Sequence, residues 1–349
     1  VDTCAVDSLC VTACPVHIDT GVFMKRFRAA RHRDVLQQGA ELLADHWSGA
    51  VRGLRAVLTA ADALPTPVLS EVTSAARAVL PRDWIPQVGD DLPGAGPQRP
   101  APHYPASPDA VFFSSCMNSL FAPSERSHDR GVIDALTHVA ESAGLNLLVP
   151  DGLAELCCGM VWVSKGLTTG ADAMARRTFE VLWQASRQGK LPVVCDAASC
   201  SHTLLELAEH LPPEQAQQWQ QVTVMDATTW VAREALPRLH VISKVDSIVI
   251  HPTCSTVHLA CVDDMVACAR AVSDDVVVPV DAGCCAFAGD RGLLHPELTA
   301  TATRAEAAEV AQREYAEYVS ANRTCELGMT RATGHVYRHV LEVLAEHCA

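Results

Sequence analysis

Apolar and polar residues follow two different patterns along this chain. Up to residue 80, apolar side chains recur at three- and four-residue steps, which is the spacing of amphipathic helices. This pattern predicts a helical arm over residues 22–80, with one helical stretch to about residue 64 and a further helix over 67–80. Asp19 and Thr20, just before Gly21, are a typical helix start signal.

Beyond residue 108, short apolar runs alternate with longer helical stretches, and the order of these elements occurs twice. The first copy, over 109–243, has predicted strands at 110–113, 145–149 and 192–195, and predicted helices at 131–143 and 171–186. The second copy, over 244–349, has predicted strands at 247–250 and 276–280, and predicted helices at 257–272 and 296–318. Alternating strands and helices predict an α/β fold with parallel strands and helical crossovers. The Pro- and Gly-rich residues 81–108 between arm and repeats predict an extended linker or a strap along the surface.

Composition narrows the possible functions. Apolar residues make up 49% of the 349 residues, and the formal net charge is −14 with no long basic run, so an extended nucleic-acid surface is not expected. No uninterrupted apolar stretch predicts a transmembrane helix, and the first residues do not form a secretory signal. Fifteen cysteines without such a signal favour metal or redox chemistry over a disulfide framework. We therefore expect a cytoplasmic protein, or one peripheral to the inner face of the plasma membrane.

The chain begins with a run of cysteines that has ferredoxin spacing. Cys4, Cys10 and Cys14, followed by Pro15, fit the bacterial pattern C-x2-C-x2-C-x3-C-P, but Asp7 stands where the second cysteine is expected. This predicts that residues 1–21 are the C-terminal half of a 4Fe-4S ferredoxin-type domain, in which Asp7 either adds an oxygen ligand or is an ordinary loop residue. The companion run that a two-cluster domain needs does not occur downstream. We expect it upstream of Val1 or on another chain, so that this sequence is a piece of a longer protein.

Paired cysteines recur at equivalent places in the two copies. They are Cys116, Cys157, Cys158 and Cys200 in the first copy and Cys254, Cys284, Cys285 and Cys325 in the second. Both copies have the order strand–Cys, helix, strand–Cys-Cys, helix, strand–Cys, and the carboxyl ends of parallel strands meet on one side of a sheet. Each copy is therefore expected to gather four thiols that hold an iron–sulfur cluster or zinc, or that remain free of metal. Adjacent cysteines chelate one zinc ion poorly because their side chains diverge, which favours the cluster.

Residues beside these cysteines have simpler interpretations. Cys195 is expected to be a strand residue rather than a spare ligand, and His202 and His251 to be ordinary structural histidines.

The doubled pattern Cys…Cys-Cys-Gly…Cys resembles the CCG cysteine-rich domain. That domain occurs in heterodisulfide reductases and in the iron–sulfur subunits of glycolate and glycerol-3-phosphate dehydrogenases, where it holds clusters. This chain departs from the pattern at three positions. Ala197 and Asn322 stand where the last element has its first cysteine, and Ala286 replaces the glycine in the second copy. These departures speak against a five-thiolate noncubane cluster.

Three segments together resemble the C-terminal half of FAD-linked D-lactate dehydrogenases of the cytochrome- or quinone-reducing type. They are TCAVDSLCVTACP at 3–15, CCAFAGDRGLLHPE at 284–297 and NRTCELGM at 322–329. The resemblance implies a tandem CCG fold and electron transfer from FAD, bound by an upstream domain or a flavoprotein subunit and not by this chain alone, to a quinone or cytochrome. Its alternatives are a separate iron–sulfur subunit for glycolate or glycerol-3-phosphate oxidation, a thiol–disulfide enzyme, and a zinc-bearing module without redox activity.

Overall fold

The computed structural model describes residues 3–80, 85–89 and 91–349, and it begins with the expected helical arm. The helices of this part are α1 (Cys10–Ala13), α2 (Thr20–Arg31), α3 (Asp34–Asp45), α4 (Trp47–Asp62) and α5 (Thr66–Val79). Asp19 caps α2 by accepting a hydrogen bond from the Val22 backbone N–H at 3.0 Å, which explains the start signal. The described side chains that the arm buries are Arg28 in α2, Ala40 and Ala44 in α3, and Trp47 at the start of α4. Helix α3 packs on the first repeat, and the arm leaves many large apolar side chains exposed.

The first repeat contains a four-stranded parallel sheet among the described residues. Its elements are β1 (Ala110–Phe113), α6 (Met117–Leu120), α7 (Val132–Ser142), β2 (Leu147–Leu148), α8 (Met160–Val163), α9 (Thr168–Ala185), β3 (Val193–Cys195), α10 (Ala198–Leu205), α11 (Pro213–Trp219), β4 (Val224–Asp226) and α12 (Ala227–Trp230). The strand order is β2-β1-β3-β4. The central strands β1 and β3 are buried and rich in Val and Phe, as expected for a parallel sheet covered on both faces.

The second repeat has the same topology. Its elements are β5 (Ile248–Ile250), α13 (Cys254–His258), α14 (Val262–Val272), β6 (Val276–Val277), α15 (Arg291–Leu294), α16 (Pro296–Ala302), α17 (Arg304–Val310), β7 (Glu317–Ser320), α18 (Arg323–Thr333), β8 (Arg338–His339) and α19 (Val340–Glu346). The order β6-β5-β7-β8 reproduces that of the first sheet, and every strand pair is parallel. The α/β class with parallel strands and an internal repeat is thereby confirmed.

Two helix predictions in the second repeat are wrong. The predicted helix 296–318 consists of α16 and α17, and its end is strand β7, which pairs with β5 and β8. Sheet pairing overrides helical periodicity here, and the buried Glu317 in β7 is compensated by Arg338 at 3.0 Å and Arg126 at 2.5 Å. The predicted helix 257–272 is divided between α13 and α14, with Ala260 in a left-handed conformation (φ +51°) between them.

Two strands were not predicted at all. Strands β4 and β8 are two or three residues long, and their sequences, Val-Met-Asp and Arg-His, carry no strand pattern. They form because each extends an existing parallel sheet.

The two repeats share one hydrophobic core. Helix α19, the last of the chain, packs against α7 of the first repeat and α14 of the second. The described part of 81–108 forms a strap: Ala95 pairs with Phe121, and His103 pairs with Val149. Residues 1–2, 81–84 and 90 of the predicted segments lie outside the described residues. Among the helices described, none has the length and apolarity needed to cross a membrane.

Candidate metal centres

In the first repeat, the structure brings the four predicted cysteines to the carboxyl ends of β1 and β3. Cys116 follows β1, Cys157 and Cys158 precede α8, and Cys200 lies in α10 directly after β3. All four are at least 95% buried. The Sγ atoms of Cys116 and Cys157 are 3.7 Å apart, and the Cys158 thiol lies close enough to those of Cys157 and Cys200 to affect its pKa. We call these four residues the first thiol site.

Cys195 belongs to the edge of the first thiol site as well as to a strand. It is the last residue of β3, as expected, yet its thiol lies within hydrogen-bonding reach of Cys200. Burial raises the pKa of Cys195. A spare-ligand role is therefore geometrically open to it.

The surroundings of the first thiol site suit a positively charged group, such as iron, that the thiols would bind. The hydrogen bond with Cys157, together with burial, raises the pKa of Cys116 well above the ordinary thiol value. Thiols bind metals as thiolates. The positive charge of bound iron would therefore offset the burial and the thiol–thiol hydrogen bond that keep these groups protonated.

Arg99 of the strap supplies a cation at the same place. Its guanidinium donates to the carbonyls of Leu153 and Leu156, the latter at 2.8 Å, and lies over the Phe113 ring. Its Nε and Nη2 atoms are buried and have no hydrogen-bond partner among the described residues. This charge acts to lower the pKa of Cys116, which places it within electrostatic range of the thiols. Such a cation would also favour the reduced, more negative form of a cluster.

The second repeat divides its cysteines into two unequal pairs. Cys285 and Cys325 are buried with their Sγ atoms 3.3 Å apart, whereas Cys254 and Cys284 are half-buried and hydrogen-bond to each other. His251, which follows β5, joins the buried pair. The ligand atoms of His251, Cys285 and Cys325 all lie within 4.8 Å of one another, and no other described trio of His, Cys, Asp or Glu residues meets that limit.

The members of this trio shift one another's pKa values. The Cys325 hydrogen bond and the nearby His251 outweigh burial and lower the pKa of Cys285 to about 5. Burial opposes a charged imidazole at His251, but the contacts with Cys285 and Glu306 outweigh it and raise the pKa of His251 to about 10. Both shifts favour the ionised pair, a Cys285 thiolate next to a His251 imidazolium.

The N-terminal run lies against both repeats. Arg28 of α2, which is 5% exposed, donates to the Cys4 carbonyl at 2.8 Å and to the Ser164 carbonyl of the first repeat at 2.6 Å. The His258 ring, at the end of α13, bonds to the Asp7 carbonyl at 2.7 Å through Nε2. The run is thus fixed to the second repeat immediately beside Cys254.

Within the run, the predicted ligands are half-buried and already engaged in local contacts. Thr20 donates to the Cys10 thiol at 2.8 Å, and backbone N–H groups led by that of Ile18 lower the pKa of Cys14. The Asp7 carboxylate accepts from the Leu9 N–H at 3.3 Å. Asp7 is also one of the groups that raise the pKa of Cys284, after the Cys254 thiol and burial, so its charge faces the second repeat.

Four residues beside the candidate sites have no ligand or tuning role predicted from the sequence. The sequence favours an ordinary structural histidine at His251, although its position three residues before Cys254 in the repeated motif is a signal for a site residue. Arg99, His258 and Glu306 have no motif around them, and only the fold brings them to the cysteines.

Comparison with known proteins adds no relative: neither the protein-family models nor the curated protein sequences match this chain.

Proposed function

We propose that this chain is the iron–sulfur electron-relay region of a flavin-linked D-2-hydroxyacid dehydrogenase, with D-lactate as the substrate of the whole enzyme. The observation that carries the proposal is the first thiol site, where four buried cysteines converge beside the unpartnered guanidinium nitrogens of Arg99. Iron–sulfur clusters bound by such thiolates accept and release single electrons. The surrounding core excludes water, and Arg99 tunes the potential.

The contacts of the N-terminal run support an electron relay with more than one redox centre. Arg28 ties the run to the first repeat, and His258 ties it to the second. The rings of His258 and His202 are 5.3 Å apart, and His202 lies two residues after Cys200 in α10. Cys4, Cys10 and Cys14 are thereby held close to the repeats, which short-range electron transfer requires.

The partners follow from the same proposal. FAD belongs to an upstream domain or flavoprotein subunit, and a quinone or cytochrome takes the electrons. We place the protein in the cytoplasm, at the inner face of the plasma membrane, where a quinone acceptor is within reach.

Metal analysis tests the relay. We expect the anaerobically purified chain to contain iron and acid-labile sulfide, and to show an EPR signal after reduction with dithionite. Cys157→Ser should lose the signal of the first thiol site, because it removes one of the four buried ligands. Cys348→Ser is the matched control: Cys348 is also buried, but its thiol donates to the Ala345 carbonyl near the C-terminus, away from the two thiol clusters. Zinc without paramagnetic iron, or equal signals in both variants, would contradict the relay.

The substrate is tested separately in anaerobic extracts of cells that express the chain. D-Lactate should produce the EPR signals that dithionite produces, and L-lactate should not. Cluster reduction by glycolate or glycerol 3-phosphate instead would show that the relay serves a different flavoprotein.

A further inference from the structure

His251 is a fully buried histidine whose backbone is held rigidly by the second sheet. Its N–H donates to the Val319 carbonyl at 2.8 Å, and its own carbonyl accepts from the Ser320 hydroxyl at 3.0 Å. Both partners belong to β7, so the imidazole projects from the carboxyl edge of the paired strands β5 and β7.

A buried carboxylate determines which ring nitrogen faces the thiols. His251 Nδ1 lies 2.8 Å from Glu306 Oε1, and Glu306 is 1% exposed. A carboxylate accepts hydrogen bonds, so Nδ1 carries the proton and donates it. Nε2, which is buried, has no hydrogen-bond partner of acceptable geometry among the described residues. This carboxylate–imidazole arrangement is the one that orients metal-binding histidines.

The spacing of the trio matches one ion rather than a cluster. Ligands of a tetrahedral zinc ion lie about 2.0–2.3 Å from it, so two ligand atoms are separated by about 3.3–3.8 Å. The Cys285 and Cys325 Sγ atoms are 3.3 Å apart, and all three ligand atoms of the trio lie within 4.8 Å of one another. Ligands of a cluster bind different irons and lie farther apart than the ligands of one ion.

We propose that His251 Nε2, Cys285 and Cys325 bind a single zinc ion, with Cys254 as the fourth ligand and Glu306 holding the imidazole in place. Nitrogen and thiolate donors in a closed set of four are typical of structural zinc. Cys254 is the first residue of α13, three residues after His251 at the carboxyl end of β5, which makes it the candidate for the fourth position. Zinc is not redox-active, so this ion would join β5, β7 and the loop at 284–285 rather than carry electrons. The proposal goes beyond the relay and does not depend on it.

Zinc K-edge X-ray absorption of the anaerobically purified, wild-type chain is the direct test, and it needs no variant to fold. We expect one zinc per chain, with one imidazole nitrogen at about 2.0 Å and sulfur ligands at about 2.3 Å. An all-sulfur shell, or a protein that contains iron and sulfide but takes up no zinc, would overturn the proposal. So would a disulfide between Cys285 and Cys325 that forms in the zinc-loaded protein, since it would show a redox-active thiol pair.

Variants then assign the ligand. We expect His251→Asn to remove the imidazole from the spectrum and to release zinc to a chromogenic chelator. Glu306→Gln keeps an acceptor for Nδ1 but loses the charge, and should weaken zinc binding by about 10–100-fold, as such outer partners generally do. His103→Asn is the control, because His103 is an exposed histidine of the strap. Equal zinc affinity in all three would refute the assignment.

The outcomes separate this inference from the relay. Zinc with a mixed shell but no iron would leave the site intact and refute the relay. Iron and sulfide with no zinc would refute the zinc site and leave the relay intact.

Discussion

At the scale of single residues, the position after each adjacent cysteine pair has a left-handed backbone. Gly159 follows Cys158 with φ +99°, and Ala286 follows Cys285 with φ +53°. Glycine adopts this conformation freely, whereas a side chain on an L-residue is strained by it. The turn after the cysteine pair is therefore left-handed in both repeats. Ala286 adopts this conformation at a cost in free energy that a glycine would not have.

The two positions provide a reciprocal stability test. Ala286→Gly should raise the free energy of unfolding by up to about 1 kcal/mol, because relief of left-handed strain exceeds the added entropy of the unfolded chain. Gly159→Ala should lower it by about 1–2 kcal/mol. An added Cβ at Gly159 has no atom within 4 Å, so backbone strain alone acts. Chemical denaturation at matched metal content measures both, and changes of the same sign would contradict this explanation.

At the scale of elements, the arm is attached to the first repeat by the crossing of α3 and α9. Ala40 and Ala44 of α3 are buried there, and Trp47 packs on Trp162 with ring centroids 4.9 Å apart. The Trp162 indole N–H donates to the Ala40 carbonyl at 3.1 Å. Helices α3 and α9 approach this closely because α9 carries Gly170, at which a Cβ would lie 2.7 Å from the Ala40 carbonyl oxygen of α3 and 2.3 Å from the Trp162 ring of α8.

We expect Gly170→Ala to destabilise the protein by about 1–3 kcal/mol, as overpacking of a tight contact does. Gly39→Ala on α3 is the control, because an added Cβ there meets nothing within 4 Å. That substitution should instead stabilise by up to about 1 kcal/mol through helix propensity. Thermal unfolding and the protease susceptibility of the arm measure the effects of both substitutions. If Gly170→Ala left stability unchanged, helices α3 and α9 would be able to move apart.

At the scale of the whole molecule, α19 connects the two repeats, and its first turn depends on a neutral histidine. His339 ends β8 and caps α19: its Nδ1 accepts from the Leu341 N–H at 3.2 Å, while Glu342 accepts from the His339 N–H at 3.3 Å. Burial lowers the pKa of His339 from 6.5 to about 3. A protonated ring could not accept the Leu341 bond, so the cap requires the neutral form.

This cap should make the fold sensitive to acid. The unfolded chain binds a proton at His339 below about pH 6.5 and the folded chain only near pH 3, so stability falls by up to about 1.4 kcal/mol per pH unit between these values. Glu342 acts in the opposite direction, since burial and Glu326 raise its pKa to about 7 and the folded chain binds its proton first.

The difference between the wild type and His339→Asn isolates the histidine, because Asn also caps helices and Glu342 is common to both. Urea unfolding from pH 7 to pH 4 should show the wild type losing stability relative to His339→Asn as the pH falls. Parallel curves would show that His339 titrates normally.

Much of the architecture could be predicted because it is encoded locally. Strand β1 has the predicted bounds, since the buried run Ala110–Phe113 leaves no other choice. Helix α2 begins beside its Asp19 cap. The repeated cysteines were found by spacing alone, and their convergence followed from the geometry of parallel sheets.

The sequence by itself determined that the chain is a parallel α/β repeat protein with thiols gathered at the carboxyl ends of its strands. Only the tertiary structure decided how those thiols are partnered. Arg99 reaches the first thiol site from the strap, and Glu306 orients His251 across 55 residues of chain. Strands β7 and β8 exist because a sheet was present for them to join. Periodicity reports only neighbours along one element, whereas charge compensation and strand pairing depend on groups that are distant in sequence and close in space.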